Sequence, residues 1–155
     1  MKTVGVMSDS HGDKEKISRA FELMNSCDVI VHLGDHAQDA LGYGKEIIAV
    51  SGNCDWFSKE PLSRILELEG VKIYLTHGHR ENVKMGLMRL FYRAQEENVS
   101  LALYGHTHIA RKEEADGITL VNPGALKDGR YAVIEVEKGG FGVKFMNLPS
   151  DTVSR

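Results

Sequence analysis

The chain has 155 residues, 42% hydrophobic and 26% charged, which excludes disordered, collagen-like and coiled-coil classes and predicts one domain over 1–155. Its net charge of −3, from 19 Lys plus Arg against 22 Asp plus Glu, argues against a general nucleic-acid binder with a basic stripe. No apolar run reaches the roughly 18 residues of a membrane-spanning helix, no signal-peptide pattern opens the chain, and Cys27 and Cys54 are too few for a disulfide framework, so a soluble cytoplasmic protein is expected.

Residues 2–7 (KTVGVM) read as a short buried strand. Asp13 is placed to cap a helix that carries Ile17, Ala20, Phe21 and Met24 at helical spacing. Residues 28–33 and 46–50 read as a second and a third strand. Strand–helix–strand order with right-handed crossovers predicts a mainly parallel sheet. Residues 62–68 and 71–76 meet across Glu69-Gly70 as a hairpin. A second helix is expected over 83–97, with Val83, Leu87, Leu90, Phe91 and Ala94 as its apolar stripe. Residues 101–104 are strand-like. Two more hairpins are expected, 109–115 with 118–121 across Asp116-Gly117, and 131–136 with 141–146 across Gly139-Gly140. The polar tail after Pro149 is expected to be loosely ordered. These strands are too many for one open sheet with two helices. Two stacked mixed sheets with helices outside fit the count.

Five short polar clusters each follow a predicted strand. They are Asp9-Ser10-His11, Gly34-Asp35, Gly52-Asn53-Cys54-Asp55, His77-Gly78-His79 and Gly105-His106-Thr107-His108. In open α/β sheets ligands bind beyond the carboxyl ends of strands, so five such clusters can converge. Glycine in or beside each lets a loop stop abruptly and aim a side chain. Imidazole together with carboxylate and amide oxygen points to Mn²⁺, Fe, Co, Ni or Zn rather than an all-oxygen Mg²⁺ or Ca²⁺ site. No Cys₄ or Cys₂His₂ pattern is present, which excludes a structural zinc finger. Each cluster alone reads equally as a surface turn or a helix cap. Their joint order carries the signal.

Asp9-x-His11, Gly34-Asp35, Gly52-Asn53-x-Asp55, His77 in its Gly-His context and Gly105-His106-x-His108 resemble the five signature blocks of the calcineurin-like metallophosphoesterases. The short chain, its Asn-Cys-Asp sequence and Asn122-Pro123-Gly124 look like the superfamily's small bacterial and archaeal phosphodiesterase branch. The resemblance runs from Val4 to about Gly124. It implies an α/β (α+β) fold of two stacked mixed β-sheets flanked by helices, a four-layer αββα sandwich. It also implies two divalent ions at the strand ends, Mn²⁺ first, with Ni²⁺, Fe²⁺, Co²⁺ and Zn²⁺ as alternatives. Carried over residue by residue, one ion takes Asp9, His11, Asp35 and His108. The other takes Asp35, Asn53, His77 and His106, with Asp35 bridging. The implied activity is phosphodiester hydrolysis by a metal-bridging hydroxide, on a small phosphodiester substrate.

Many relatives carry histidine just after the block-three asparagine, as a general acid or phosphate contact. Here that position is Cys54, which counts against monoesters and poor leaving groups. Cys54 reads as a proton donor, an oxidisable thiol or a small buried hydrophobe. Asp35, Asn53, His79 and Cys54 are the expected catalytic residues, with His79 contacting phosphate or replacing the missing acid. His32 lies inside an apolar strand and is expected to be hydrogen-bonded there. His36 faces substrate or solvent. Asp55 is expected to orient a ligand histidine. Arg80 and Lys84 read as the solvated start of a helix. The apolar excess of Leu87, Met88, Leu90 and Phe91 reads as core, with room for a homo-oligomeric contact. Two rival functions remain. One is an interaction subunit resembling the phosphoesterase-fold component of retromer. The other is a phosphomonoesterase.

Overall fold

The last four residues of β1 (Lys2–Met7) are all buried, as expected of a strand covered on both faces. The computed structural model describes residues 1–40, 47–56 and 58–149. Parallel β1, β2 (Val29–His32) and β3 (Ile47–Ala49) are joined by antiparallel β9 (Arg130–Glu137) and β10 (Gly140–Asn147) in the order β10-β9-β1-β2-β3. The second sheet is β4-β5-β6-β8-β7, from β4 (Ser63–Leu68), β5 (Val71–Thr76), β6 (Leu101–Leu103), β7 (Arg111–Ala115) and β8 (Ile118–Asn122). Within it β5, β6 and β8 are parallel.

The sheets share one core. Val4, Val6, Val31 and Leu33 from the first pack with Ile73, Leu75, Leu101 and Leu103 from the second. Each such buried side chain contributes about 1.5–3 kcal/mol. Helix α1 (Lys14–Leu23) covers the outer face of the first sheet, setting Ile17, Ala20 and Phe21 against Met7 and Ile30. The Asp13 carboxylate accepts from the Lys16 amide and caps it. Helix α2 (Met88–Glu96) covers the second sheet, with Leu90 and Ala94 against Tyr74 and Ala102. The result is the helix–sheet–sheet–helix sandwich expected. No described helix is long and apolar enough to cross a membrane.

The Glu69-Gly70 and Asp116-Gly117 hairpins form as expected, with left-handed backbone at both turn residues. Three details differ. The helix expected over 83–97 begins only at Met88, because Asn82 (φ 54°) and Gly86 (φ 144°) leave the helical region. Val83 is nonetheless buried under that loop, and Met88 is exposed. Gly140 pairs with Glu137 inside β10, so the last hairpin turns on Lys138-Gly139 instead of Gly139-Gly140. β7 starts at Arg111 and leaves Ile109 exposed. Residue 46 of the expected third strand and the tail from 150 lie outside the described residues.

Candidate metal centre

β1, β2 and β3 in one sheet, and β5 and β6 in the other, each run out into one of the five polar clusters. The turns are abrupt. Asp9 (φ 56°), His11 (φ 49°), Asp35 (φ 62°), His106 (φ 72°) and His108 (φ 67°) all take left-handed backbone. That conformation costs an L-residue roughly 1–2 kcal/mol, so the surrounding contacts must impose it. Glycine is required at two close approaches. A Cβ on Gly52 would overlap the Asp35 carboxylate, and one on Gly105 would overlap Ser8 Oγ.

Two donor groups result. Asp9, His11 and His108 form one, with Asp9 Oδ1 lying 3.2 Å from His108 Nε2 and 3.7 Å from His11 Nε2. Asp35, His77 and His106 form the other, with His77 Nε2 lying 3.4 Å from Asp35 Oδ2 and 3.2 Å from His106 Nδ1. Asn53 Oδ1 joins the second group, 3.0 Å from His77 Nε2. Asp35 Oδ2 is also 3.8 Å from His11 Nε2, so it faces both groups.

The donor chemistry fits cations. His77 Nδ1 lies 2.8 Å from the Leu33 carbonyl, which only accepts, so Nδ1 carries a proton and Nε2 faces inward, free to coordinate a cation once deprotonated. There it faces the acceptor Asn53 Oδ1 at 3.0 Å and the ring nitrogen His106 Nδ1 at 3.2 Å. His11 Nε2 is buried with no hydrogen-bond partner among the described residues. Carboxylate, amide oxygen and imidazole nitrogen converging in this way are a donor set suited to a divalent cation. The local field supplies the attraction. Burial opposes charge on Asp35, but the His77 hydrogen bond and charge and the Cys54 amide hold its carboxyl well below the usual range. Burial likewise disfavours charge on His77, yet the Asp35 hydrogen bond and the Asp9 and Asp35 charges raise its proton affinity above the ordinary value. His106 is pushed down to about 4, first by burial and then by His77, and so stays a neutral imidazole.

Surrounding groups fix these loops. The Asp55 carboxylate accepts from the amides of Asp35 (2.9 Å), His36 (2.6 Å) and Gly52 (2.8 Å). It therefore clamps two loops to each other, and it does not orient a ligand histidine as expected. His32 is hydrogen-bonded as expected. The Gly34 amide donates to its Nδ1, so Nε2–H donates to Ser10 Oγ, and Ser10 donates to Asp39. Ser8 donates to Asp9 Oδ2, which also accepts from the His106 amide and ties the two sheets together. Asn122 Nδ2 donates to the Gly105 carbonyl and to Thr107 Oγ1. Ser8, Ser10 and Asp39 carry no sequence signal of such roles. Asn122 was visible within Asn122-Pro123-Gly124.

Cys54 is exposed, so it is not a packed hydrophobe. Local desolvation and then the Asp35 charge raise its thiol above the ordinary value. His79 is half-buried, its ring 5.4 Å from His77 and 6.2 Å from His106, and its Nδ1 has no partner among the described residues. The His36 ring lies 5.4 Å from His11.

The chain matches the calcineurin-like phosphoesterase superfamily domain over residues 1–139, and it belongs to that family. It is 31% identical to the probable metallophosphoesterase YsnB of Bacillus subtilis, over 96% of this chain and 92% of that protein. It is 28% identical to a phosphodiesterase of Methanocaldococcus jannaschii, over 78% of this chain and 82% of that protein. Among solved structures it resembles an uncharacterised predicted phosphoesterase from Streptococcus pneumoniae, with TM-score 0.79, 31% identity, and 94% and 89% of the two chains covered. Vps29 of Entamoeba histolytica, solved with zinc, shares the fold at TM-score 0.72 and 17% identity, covering 95% of this chain and 99% of that one.

Proposed function

We propose that this chain is a dinuclear metal-dependent phosphodiesterase, with Asp35 holding both ions. The observation that supports it is Asp35 Oδ2 placed between His77 Nε2 at 3.4 Å and His11 Nε2 at 3.8 Å. Asp9, His11, His108 and Asp35 hold one ion. Asp35, Asn53, His77 and His106 hold the other. Two bound divalent ions supply Lewis-acid stabilisation of an in-line displacement at phosphorus and a nucleophile at neutral pH. Mn²⁺ is the first candidate for this mixed nitrogen and oxygen set.

The protein groups do the rest. His77 Nδ1–H on the Leu33 carbonyl and Asp55 on four amides keep the donors in place. Cys54 stays a protonated thiol, a weak donor to a leaving oxygen. His79 presents its imidazole beside His77 and His106, where it meets the substrate phosphate. With no strong acid at the leaving group, activated diesters are the preferred substrates. In this reading residues 1–155 act as one domain on a small phosphodiester in the cytoplasm.

The protein loaded with Mn²⁺ is expected to hydrolyse bis(4-nitrophenyl) phosphate faster than 4-nitrophenyl phosphate. A large preference for the monoester overturns the diesterase assignment. Two bound ions with no turnover of either favour the interaction-subunit reading. The complete donor set speaks for catalysis.

A further inference from the structure

A cavity of about 220 Å³ opens on the α2 side of the second sheet. Its walls include Arg80, Arg89 and Arg93, with Tyr74, Thr76 and the two carboxylates Glu81 and Glu96. Residues 80–93 contain four cations, Arg80, Lys84, Arg89 and Arg93, against the single anion Glu81, in a chain whose net charge is −3. Its strongest concentration of positive charge therefore lies directly after the ligand loop of His77.

The groups inside the cavity differ in how far they are already engaged. Glu81 accepts from the hydroxyls of Tyr74 and Thr76, each at 3.0 Å. Arg93 pairs with Glu97 at 3.8 Å and Glu96 at 4.0 Å, and donates from Nε to Tyr74 Oη. Arg80 and Arg89 form no ion pair among the described residues, and both are exposed. Two unpaired guanidiniums on the wall of a cavity suit a tetrahedral oxyanion, because their planar forks match phosphate geometry. Arg80 lies in the loop after β5 and Arg89 in the first turn of α2, so the two reach the cavity from different segments. The cavity adjoins the segment that carries His77. Thr76 lines it and precedes His77, and three residues from His77 to Arg80 span at most about 11 Å.

We propose that the Arg80–Arg89 cavity binds a second anionic group of the substrate, a phosphate monoester carried beyond the scissile diester. The proposal rests on the phosphodiesterase reading and narrows its substrate class to diesters that bear a further phosphate. Arg93, held by its two glutamates, forms the wall and leaves the other two arginines free to turn toward the ligand.

The test uses dithymidylate with and without a 5′-phosphate. Binding is measured by calorimetry in EDTA, so that the arginine cavity is read apart from metal-held phosphate. The wild-type protein is expected to bind the 5′-phosphorylated form about tenfold more tightly, the scale of one charge-assisted contact. Arg80→Ala with Arg89→Ala is expected to erase that preference without shifting the urea midpoint. Equal binding of the two dinucleotides by the wild type overturns the proposal. So does a preference that persists in the double variant. Inorganic phosphate binding as tightly as the phosphorylated dinucleotide marks a free-phosphate site and overturns the substrate assignment. Turnover of bis(4-nitrophenyl) phosphate by the Mn²⁺-loaded wild type is measured alongside. Its absence counts against the phosphodiesterase reading, separately from the binding result.

Discussion

Asp35 and Asp55 grip each other's loops. The Asp35 amide donates to Asp55 Oδ2 at 2.9 Å, and Asp35 Oδ1 accepts from the amide of Cys54, the neighbour of Asp55, also at 2.9 Å. Neither carboxylate needs the other's charge. Each uses its own oxygens to satisfy backbone donors that would otherwise be stranded, and the position of Asp35 Oδ2 between the two donor groups follows.

Asp55→Ala strands the amides of Asp35, His36 and Gly52 together. At about 1–3 kcal/mol for each unsatisfied buried donor, stability should fall by about 3 kcal/mol or more. Urea unfolding of the metal-free protein reads this directly. A loss under 1 kcal/mol would mean that water replaces the clamp.

Asp35→Asn should impair activity more than Asn53→Ala or His36→Ala, by roughly 10²-fold or more, because the lost charge serves both donor groups. Metal content should fall toward one ion or none in the same protein. Near-normal turnover with two ions bound would remove Asp35 from the bridge.

Cys54→His should raise turnover of alkyl diesters, up to about 10²-fold, with little effect on nitrophenyl diesters. Exposure of Cys54 leaves space for the larger ring. An imidazole protonates a basic leaving oxygen that a thiol does not. Metal content measured in parallel separates this from damage to Asn53. Retention of both ions without any gain on alkyl diesters would show that residue 54 is not at the leaving group.

His32 makes stability pH-dependent. Burial pushes its pKa down to about 4, against 6.5 for the ordinary imidazole. A depressed histidine binds fewer protons in the folded chain than in the unfolded one. Its contribution is therefore complete above pH 6.5 and is lost as pH falls from 6.5 toward 4. Between pH 7 and pH 5 the loss is about 2 kcal/mol. Unfolding free energies of the wild type and His32→Gln at those two pH values test this. Equal losses in both proteins would clear His32 of the effect.

Much of this was legible beforehand, for local reasons. Asp116-Gly117 and Glu69-Gly70 announce their hairpins because their turn geometry needs residues that tolerate positive φ. The five clusters announce the centre because ligand chemistry restricts residue type. Val83 keeps helical spacing with Leu87 and Leu90, which extends the expected helix beyond the start of α2 at Met88. Its burial comes instead from a loop whose amide bonds to Gly78. The role of Asp55 was hidden for a different reason. Its partners are backbone amides, which look the same in every sequence.

Left-handed backbone at Asp9, His11, Asp35, His36, His106 and His108 has a consequence for heat tolerance. At roughly 1–2 kcal/mol apiece, these residues draw on a folded-state margin that is only about 5–15 kcal/mol in typical proteins. Glycine or asparagine at His11 or His36, whose side chains satisfy no backbone amide among the described residues, would relax the chain and raise its melting temperature, at the cost of the imidazole. Cations held by these donors would keep the same tense turns shut. A lineage that gave up metal would thus be free to soften these turns, and drift toward glycine and asparagine there would be the mark of abandoned chemistry.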